Sequence, residues 1–243
     1  MPETLRISTI ITCFNGAAFV ADAIASIRRQ AIPVAEIVVI DDGSTDDTAA
    51  VIASLAGDDL FYHAQANQGL PGARNAGLEQ SSGDLITFLD YDDVWTDNKL
   101  AIQVPLLQAQ PELGMVVGYA QTMRLVKQLD GQTAFEPYDA PAPALSMNGA
   151  VIHREVFERV GHFDPEQKYC DDWDWYMRAR ELGVRIKIHE DVVHYYRRHE
   201  HNMTNNVEVG NQHTLMMLKK SLERRRKQHG AAQSLPSLLK RDD

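Results

Sequence analysis

Residues 85–95 read LITFLDYDDVW. Leu85, Ile86, Phe88 and Leu89 form an apolar run that predicts a strand buried on both faces, and it leads straight into Asp90, Asp92 and Asp93. Like charges brought together repel unless a cation stands between them. Alternate side chains of an extended segment share a face, so Asp90 and Asp92 are expected together, with Asp93 pointing away and shaping the next turn. Two carboxylates at a strand end suit a hard divalent cation, Mn2+ or Mg2+, with a phosphate completing its shell. The plainer reading is a solubilising loop.

Upstream, the pattern repeats. ISTIITCF (7–14), AEIVVIDD (35–42) and LFYHA (60–64) read as strands. Between them, Phe19, Val20, Ala23, Ile24 and Ile27 recur at helical spacing, residues 44–55 open on a capping residue and acidic turn, and a helix runs from near Pro71 to near Gly83. Alternating apolar strands and helices predict an α/β fold, a mostly parallel central sheet flanked by helices. Ligands of such sheets bind beyond the carboxyl ends of the strands. Three of those ends turn polar, at Phe14-Asn15-Gly16, Asp41-Asp42-Gly43 and Asp90-Tyr91-Asp92-Asp93, and parallel strands would bring them to one edge. Asp41 reads either as part of a turn and helix cap or as a contact to a base or ribose. Neither a Walker A loop nor G-x-G-x-x-G occurs, so phosphates would depend on metal and basic groups. Arg74 is a candidate for that task, against the alternative of an ordinary surface arginine.

Downstream the signals are less regular. Residues 96–110 read as a helix that Pro105 should kink or break. Residues 114–126 read as a strand, 130–145 as a loop or linker, and 147–161 as a short strand then a short helix. Residues 171–183 read as a helix whose first turn holds Asp171, Asp172 and Asp174. Acids are favoured there by capping and the macrodipole, though one beside an aromatic can also serve as a general base. Residues 184–199 alternate as an antiparallel strand pair would. YYRRHEHNMT (195–204) offers Arg197, Arg198, His199 and His201 without the spacing of a zinc site.

The formal net charge of -10 argues against general nucleic-acid binding. Residues 212–243 run against it, with eight Lys/Arg and three Asp/Glu. Residues 212–228 there read as an amphipathic basic helix, either solvated or in peripheral contact with an anionic membrane. Two cysteines make no disulfide framework. No basic segment followed by a long apolar stretch opens the chain, and no run reaches the roughly 18 residues of a membrane span. The expected location is cytoplasmic, with the inner face of the membrane as a possible contact.

Five stretches in order, STIITCFNG, IVVIDDGSTDDT, NQGLPGARNAGL, FLDYDDVW and CDDWDWYMR, make the chain resemble the family 2 glycosyltransferases over roughly residues 5–204. The resemblance implies the GT-A fold, with a Rossmann-like nucleotide-binding half (1–95) and a mixed acceptor half (96–211) in one domain, followed by a basic C-terminal helix and tail (212–243). It implies sugar transfer from a nucleotide-diphosphate sugar, usually inverting and divalent-metal dependent, with a UDP-linked donor expected. The acceptor would be a carbohydrate or a lipid-linked molecule. Thr12, Phe14 and Asn15 would border the nucleotide, Asp41 the base, Arg74 the nucleotide and Asp90 the ribose. Asp92 would ligate the metal, His199 would be a further metal or diphosphate contact, and Asp172 would be the general base. The family's usual Glu-Asp pair is Asp171-Asp172 here, which leaves the choice between the two acids open. Two other readings stand beside this one. LITFLDYDDV also fits a haloacid-dehalogenase-type phosphatase with Asp90 as nucleophile and Asp92 as acid/base, and a catalytically silent nucleotide-sugar binding module would keep the same carboxylates.

Overall fold

The structure is a computed structural model that describes residues 5–127, 133–229 and 235. Four parallel strands build its first half: β1 (Ile7–Cys13), β2 (Glu36–Asp41), β3 (Leu60–Ala64) and β4 (Leu85–Asp90). Helices α1 (Val20–Arg28), α2 (Thr48–Ser54) and α3 (Leu70–Gln80) connect them. Every residue of β1 and β2 is buried, because helices cover both faces of the sheet. Ile7, Ile11, Leu85 and Leu89 pack with Ile24 and Ile27 of α1 on one face, while Ile10, Ile86 and Phe88 join Phe157, Phe163 and Trp175 on the other. Helix α3 lies so close to β1 that a Cβ on Gly77 would stand 2.3 Å from Ile10 Cγ2.

The second half continues the same sheet. Its members are β5 (Val94–Trp95), α4 (Lys99–Ala109), β6 (Met115–Lys127), β7 (Thr133–Pro137), β8 (Ala142–Pro143), β9 (Ala150–His153), α5 (Arg154–Val160), α6 (Asp171–Glu181), β10 (Ile186–Arg198) and α7 (Val207–His229). The strand order is β3-β2-β1-β4-β9-β6-β10-β5, with β7 and β8 also paired to β6. β9 runs antiparallel between β4 and β6, so it joins the parallel half to a mixed half.

Three expectations need correction. Pro105 sits inside an unbroken α4. Pro105 and Ala101, whose carbonyl it leaves unpaired, lie on the exposed side, so water can satisfy that carbonyl while Leu100, Val104 and Leu107 stay packed. Residues 184–199 form no antiparallel pair. One strand, β10, runs parallel to β6, and register shifts between Ile188 and His194 let exposed Glu190 and Asp191 bulge out. The expected loop over 130–145 contains β7 and β8, both antiparallel to β6. Of its three prolines, Pro137 and Pro143 sit at strand ends and Pro141 lies just before β8, places where a missing N–H is tolerated. Residues 130–132 lie outside the described residues.

Candidate active site

The parallel register brings the polar strand ends together, with Thr12 opposite Asp90 and Cys13 opposite Asp41. Beyond β1 the chain turns at Asn15, which holds a left-handed φ of 52°. The Asn15 N–H donates to Ser44 Oγ at 2.8 Å, and its side-chain oxygen accepts from the Thr45 N–H at 2.8 Å. Phe14 remains exposed beside this turn, and Thr12 is buried. Asp41 accepts from the Ser44 N–H at 2.8 Å and from the Tyr62 hydroxyl at 2.7 Å. Burial, then the Asp41 carboxylate, pushes the Tyr62 pKa up to about 12. Asp42 accepts from Gln65 Nε2 and from the N–H groups of Gln68 and Gly69, at 2.7–2.8 Å, and so clamps the loop that enters α3.

The three acids after β4 part company. The Asp93 N–H closes back on the Asp90 carbonyl at 3.1 Å, so strand alternation stops at Asp90. Asp90 accepts from Asn148 Nδ2 at 2.9 Å and faces Arg74 Nη2 at 3.4 Å. Asp93, expected to point away and shape the next turn, is instead drawn into the interior. It is 1% exposed, bound by Asn148 Nδ2 at 2.9 Å and by the Arg197 N–H at 2.8 Å. Burial, then the Asp92 and Asp90 carboxylates, raises its pKa well above the ordinary carboxylate range. Asp92 meets His199 Nε2 at 3.0 Å and Asn202 Nδ2 at 3.1 Å. The His199 ring stacks on Phe19 with centroids 4.7 Å apart, which fixes its orientation. Arg197 also donates to the Asp92 carbonyl and to Asp22.

The acid pair of α6 is divided as sharply. Arg74 is buried, and its Nη1 lies 2.6 Å from Asp171 Oδ2. A buried guanidinium requires such a partner, since leaving either charge alone inside costs several kcal/mol. Asp171 is therefore spent on Arg74, and the Arg74 guanidinium on Asp171 and Asp90. Asp172 is partly exposed and accepts a local bond from the Trp173 N–H. Burial of the carboxyl, then the neighbouring Asp171, pushes the Asp172 pKa up to about 7. The helix starts from Cys170 in the left-handed region, φ 57°, a conformation a non-glycine residue holds only when its surroundings impose it.

Among the described residues no group of three or more His, Cys, Asp and Glu side chains converges as a complete cation cage. Asp92 and His199 nevertheless fit part of one. Two cis ligands at roughly 2.1 Å from an octahedral cation stand about 3 Å apart, as these two do. Such cations commonly take one or two protein ligands and complete their shell with phosphate oxygens and water.

Asn148, Asn202 and the buried role of Asp93 escaped the sequence reading. Asn148 lies at the start of the stretch read as a short strand, and nothing local reveals that its amide bridges two acids.

The fold and its strand-end acids define an α/β protein of the GT-A class. The profile of the family described as Glycosyl transferase family 2 matches residues 8–161. The chain belongs to that family. An uncharacterized glycosyltransferase of Nostoc sp. is 33% identical over 82% of this chain and 66% of its own length. The chain spans a little under two thirds of the length of the first curated relatives it matches. The GalNAc(5)-diNAcBac-PP-undecaprenol beta-1,3-glucosyltransferase of Campylobacter jejuni is 41% identical over 36% of this chain and 30% of its own. Two solved structures share the fold. S. aureus TarS in complex with UDP-GlcNAc has a TM-score of 0.70 at 18% identity, covering 89% of this chain and 66% of that one. Mannosyltransferase PcManGT from Pyrobaculum calidifontis, with GDP-Man and Mn2+, has 0.69 at 21% identity, covering 91% and 65%.

Proposed function

We propose that this chain transfers a sugar, with inversion, from a nucleotide-diphosphate sugar to an acceptor hydroxyl, with Asp172 as the general base. One observation carries the assignment of the base: Arg74 neutralises Asp171 and leaves Asp172 partly exposed, with a pKa near operating pH. Asp172 takes the acceptor proton as the hydroxyl oxygen attacks the anomeric carbon. Asp92 and His199 would hold a Mn2+ or Mg2+ ion, which when bound offsets charge developing on the leaving diphosphate. The base comes from α6 and the metal pair from the β4 turn and the end of β10, so they can flank the sugar from different parts of the chain.

Thr12, Phe14 and Asn15 border the nucleotide, with Asp41 on the base side and Asp90 toward the ribose. Arg74 supports that pocket as the strut between Asp90 and Asp171. A UDP-linked donor is the first to test, since a fold relative is solved with UDP-GlcNAc. The acceptor reading, a carbohydrate or lipid-linked molecule of cell-envelope synthesis, draws on the undecaprenol-linked substrate named for the Campylobacter relative.

The phosphatase reading is set aside. Asp90 has Asn148 and Arg74 on its two oxygens, which blunts it as a nucleophile, and the chain belongs to another family. The test is donor turnover by wild type and Asp172→Asn. Loss of about 100- to 10,000-fold in kcat with donor binding retained is expected. Unchanged turnover in the variant would remove Asp172 as base. Donor binding by a wild type that turns over no acceptor would favour the binding-module reading.

A further inference from the structure

Helix α7 presents two different faces. One packs along α6 in the same direction: Thr214 meets Cys170 Sγ at 3.5 Å, Ser221 and Arg224 bind Glu181, and Met217 is buried. The other carries Leu215, Leu218 and Leu222, which are 69%, 43% and 38% exposed. Their i, i+3, i+7 spacing places them in one stripe. Exposed Lys219 and Arg226 lie beside it, with Glu208 and Glu223 as the acidic exceptions, Glu223 standing 4.0 Å from Lys219. Lys220 and Arg224 belong to the other face, where they pair with Asp164, Glu166, Asp174 and Glu181. The sequence alone suggests Leu215 to Leu218 as one apolar block. In the structure Met217 turns inward and Leu222 takes its place in the outer stripe.

We infer that this outer face of α7 docks on an anionic lipid bilayer. Leucines enter the acyl boundary while Lys219 and Arg226 meet the headgroups, each basic residue adding roughly fivefold to affinity. Among the described residues no helix is long and apolar enough to cross a membrane, so the contact is in-plane. A second copy of the chain is the weaker occupant. Three leucines offer only a few hundred Å2, well short of the roughly 1,200–2,000 Å2 of a stable interface. The stripe begins at Leu215, next to the Thr214 that touches Cys170, and Cys170 directly precedes the acid pair. Docking would therefore hold the proposed base near the bilayer, which rests on the lipid-linked acceptor reading above.

The test is co-sedimentation of the full chain with phosphatidylcholine vesicles and with vesicles containing about 30% phosphatidylglycerol, at low and high salt. Binding to the anionic vesicles alone, weakened by salt, is expected. It should fall at least tenfold in L215S/L218S/L222S and in K219E/R226E, both folding with wild-type melting temperature. No binding by wild type, or full binding by the leucine variant, overturns the inference. So does a dimer of the wild type that the leucine variant dissolves, in the absence of vesicle binding. The vesicles carry neither donor nor acceptor, so a negative result leaves the transfer reading standing, and an inactive enzyme leaves the lipid result standing.

Discussion

Arg74 and Asp171 are the residues on which the proposed site turns, and they illustrate how burial makes a charge structural. A surface arginine contributes little through its ion pairs. Buried, Arg74 becomes indispensable to the carboxylates around it. Arg74→Met should lower stability by about 3–5 kcal/mol in urea unfolding, because Asp171 would be left buried without its cation. Asp172 has the opposite character. Its pKa of about 7 means that the base form is lost as pH falls, so kcat/KM should drop on an acid limb centred near pH 7 rather than near 4. The same shift has a consequence for stability. A carboxyl whose folded pKa lies above its unfolded value favours folding at low pH, and that contribution disappears as pH rises through about 7. Asp172→Asn should therefore melt at or above the wild-type temperature at pH 8 while losing turnover. A lower melting temperature there would show that the ionised carboxylate supports the fold.

At the scale of elements, the turn after β4 depends on partners from distant segments. Asn148, just before β9, binds Asp90 and Asp93 at 2.9 Å each, and its side-chain oxygen accepts from the Asp90 N–H at 3.2 Å. Asn148→Ala should release the turn that carries Asp92. The expected effect is a higher Mn2+ concentration for half-maximal activity, with kcat at saturating metal reduced less. Helix α4 offers a contrasting case. Pro105 lies on its exposed face and leaves one carbonyl without an intrahelical partner, so Pro105→Ala should stabilise the protein by about 1–3 kcal/mol. Loss of unfolded-state restraint offsets part of that gain. The proline was legible in the sequence, but its side of the helix was not, and the side decides whether it breaks the element.

At the scale of the whole molecule, the sheet is continuous from β3 to β5, and the proposed site lies where its parallel half meets β9. Ligand should stabilise it by mass action, about 2.7 kcal/mol at one hundred times Kd. A thermal-shift screen should therefore show its largest rise with one nucleotide-diphosphate sugar plus Mn2+, and Asp92→Ala should abolish the metal-dependent part. The C-terminal helix belongs to this balance as well. Glu181 and Asp174 are buried carboxylates that Arg224 of α7 helps neutralise. Ending the chain at residue 206 should lower the melting temperature, even though the tail reads in sequence as a basic appendage.

Local pattern determined the first half of the fold and the edge where the proposed site lies. Full burial of a strand appears as an apolar run, and a polar residue at the end of that run marks where the chain leaves the sheet. It also singled out Asp41, Asp90, Asp92 and Asp172. The tertiary structure alone decided what each acid touches. Arg74 and Asp171 are 97 residues apart, Asp93 and the Arg197 N–H 104, and Asp92 and His199 107. Whether a carboxylate is neutralised by a buried cation, bound by an amide or left partly open to solvent depends on groups brought to it by the sheet. The environment that sets its charge and its role is absent from the local sequence.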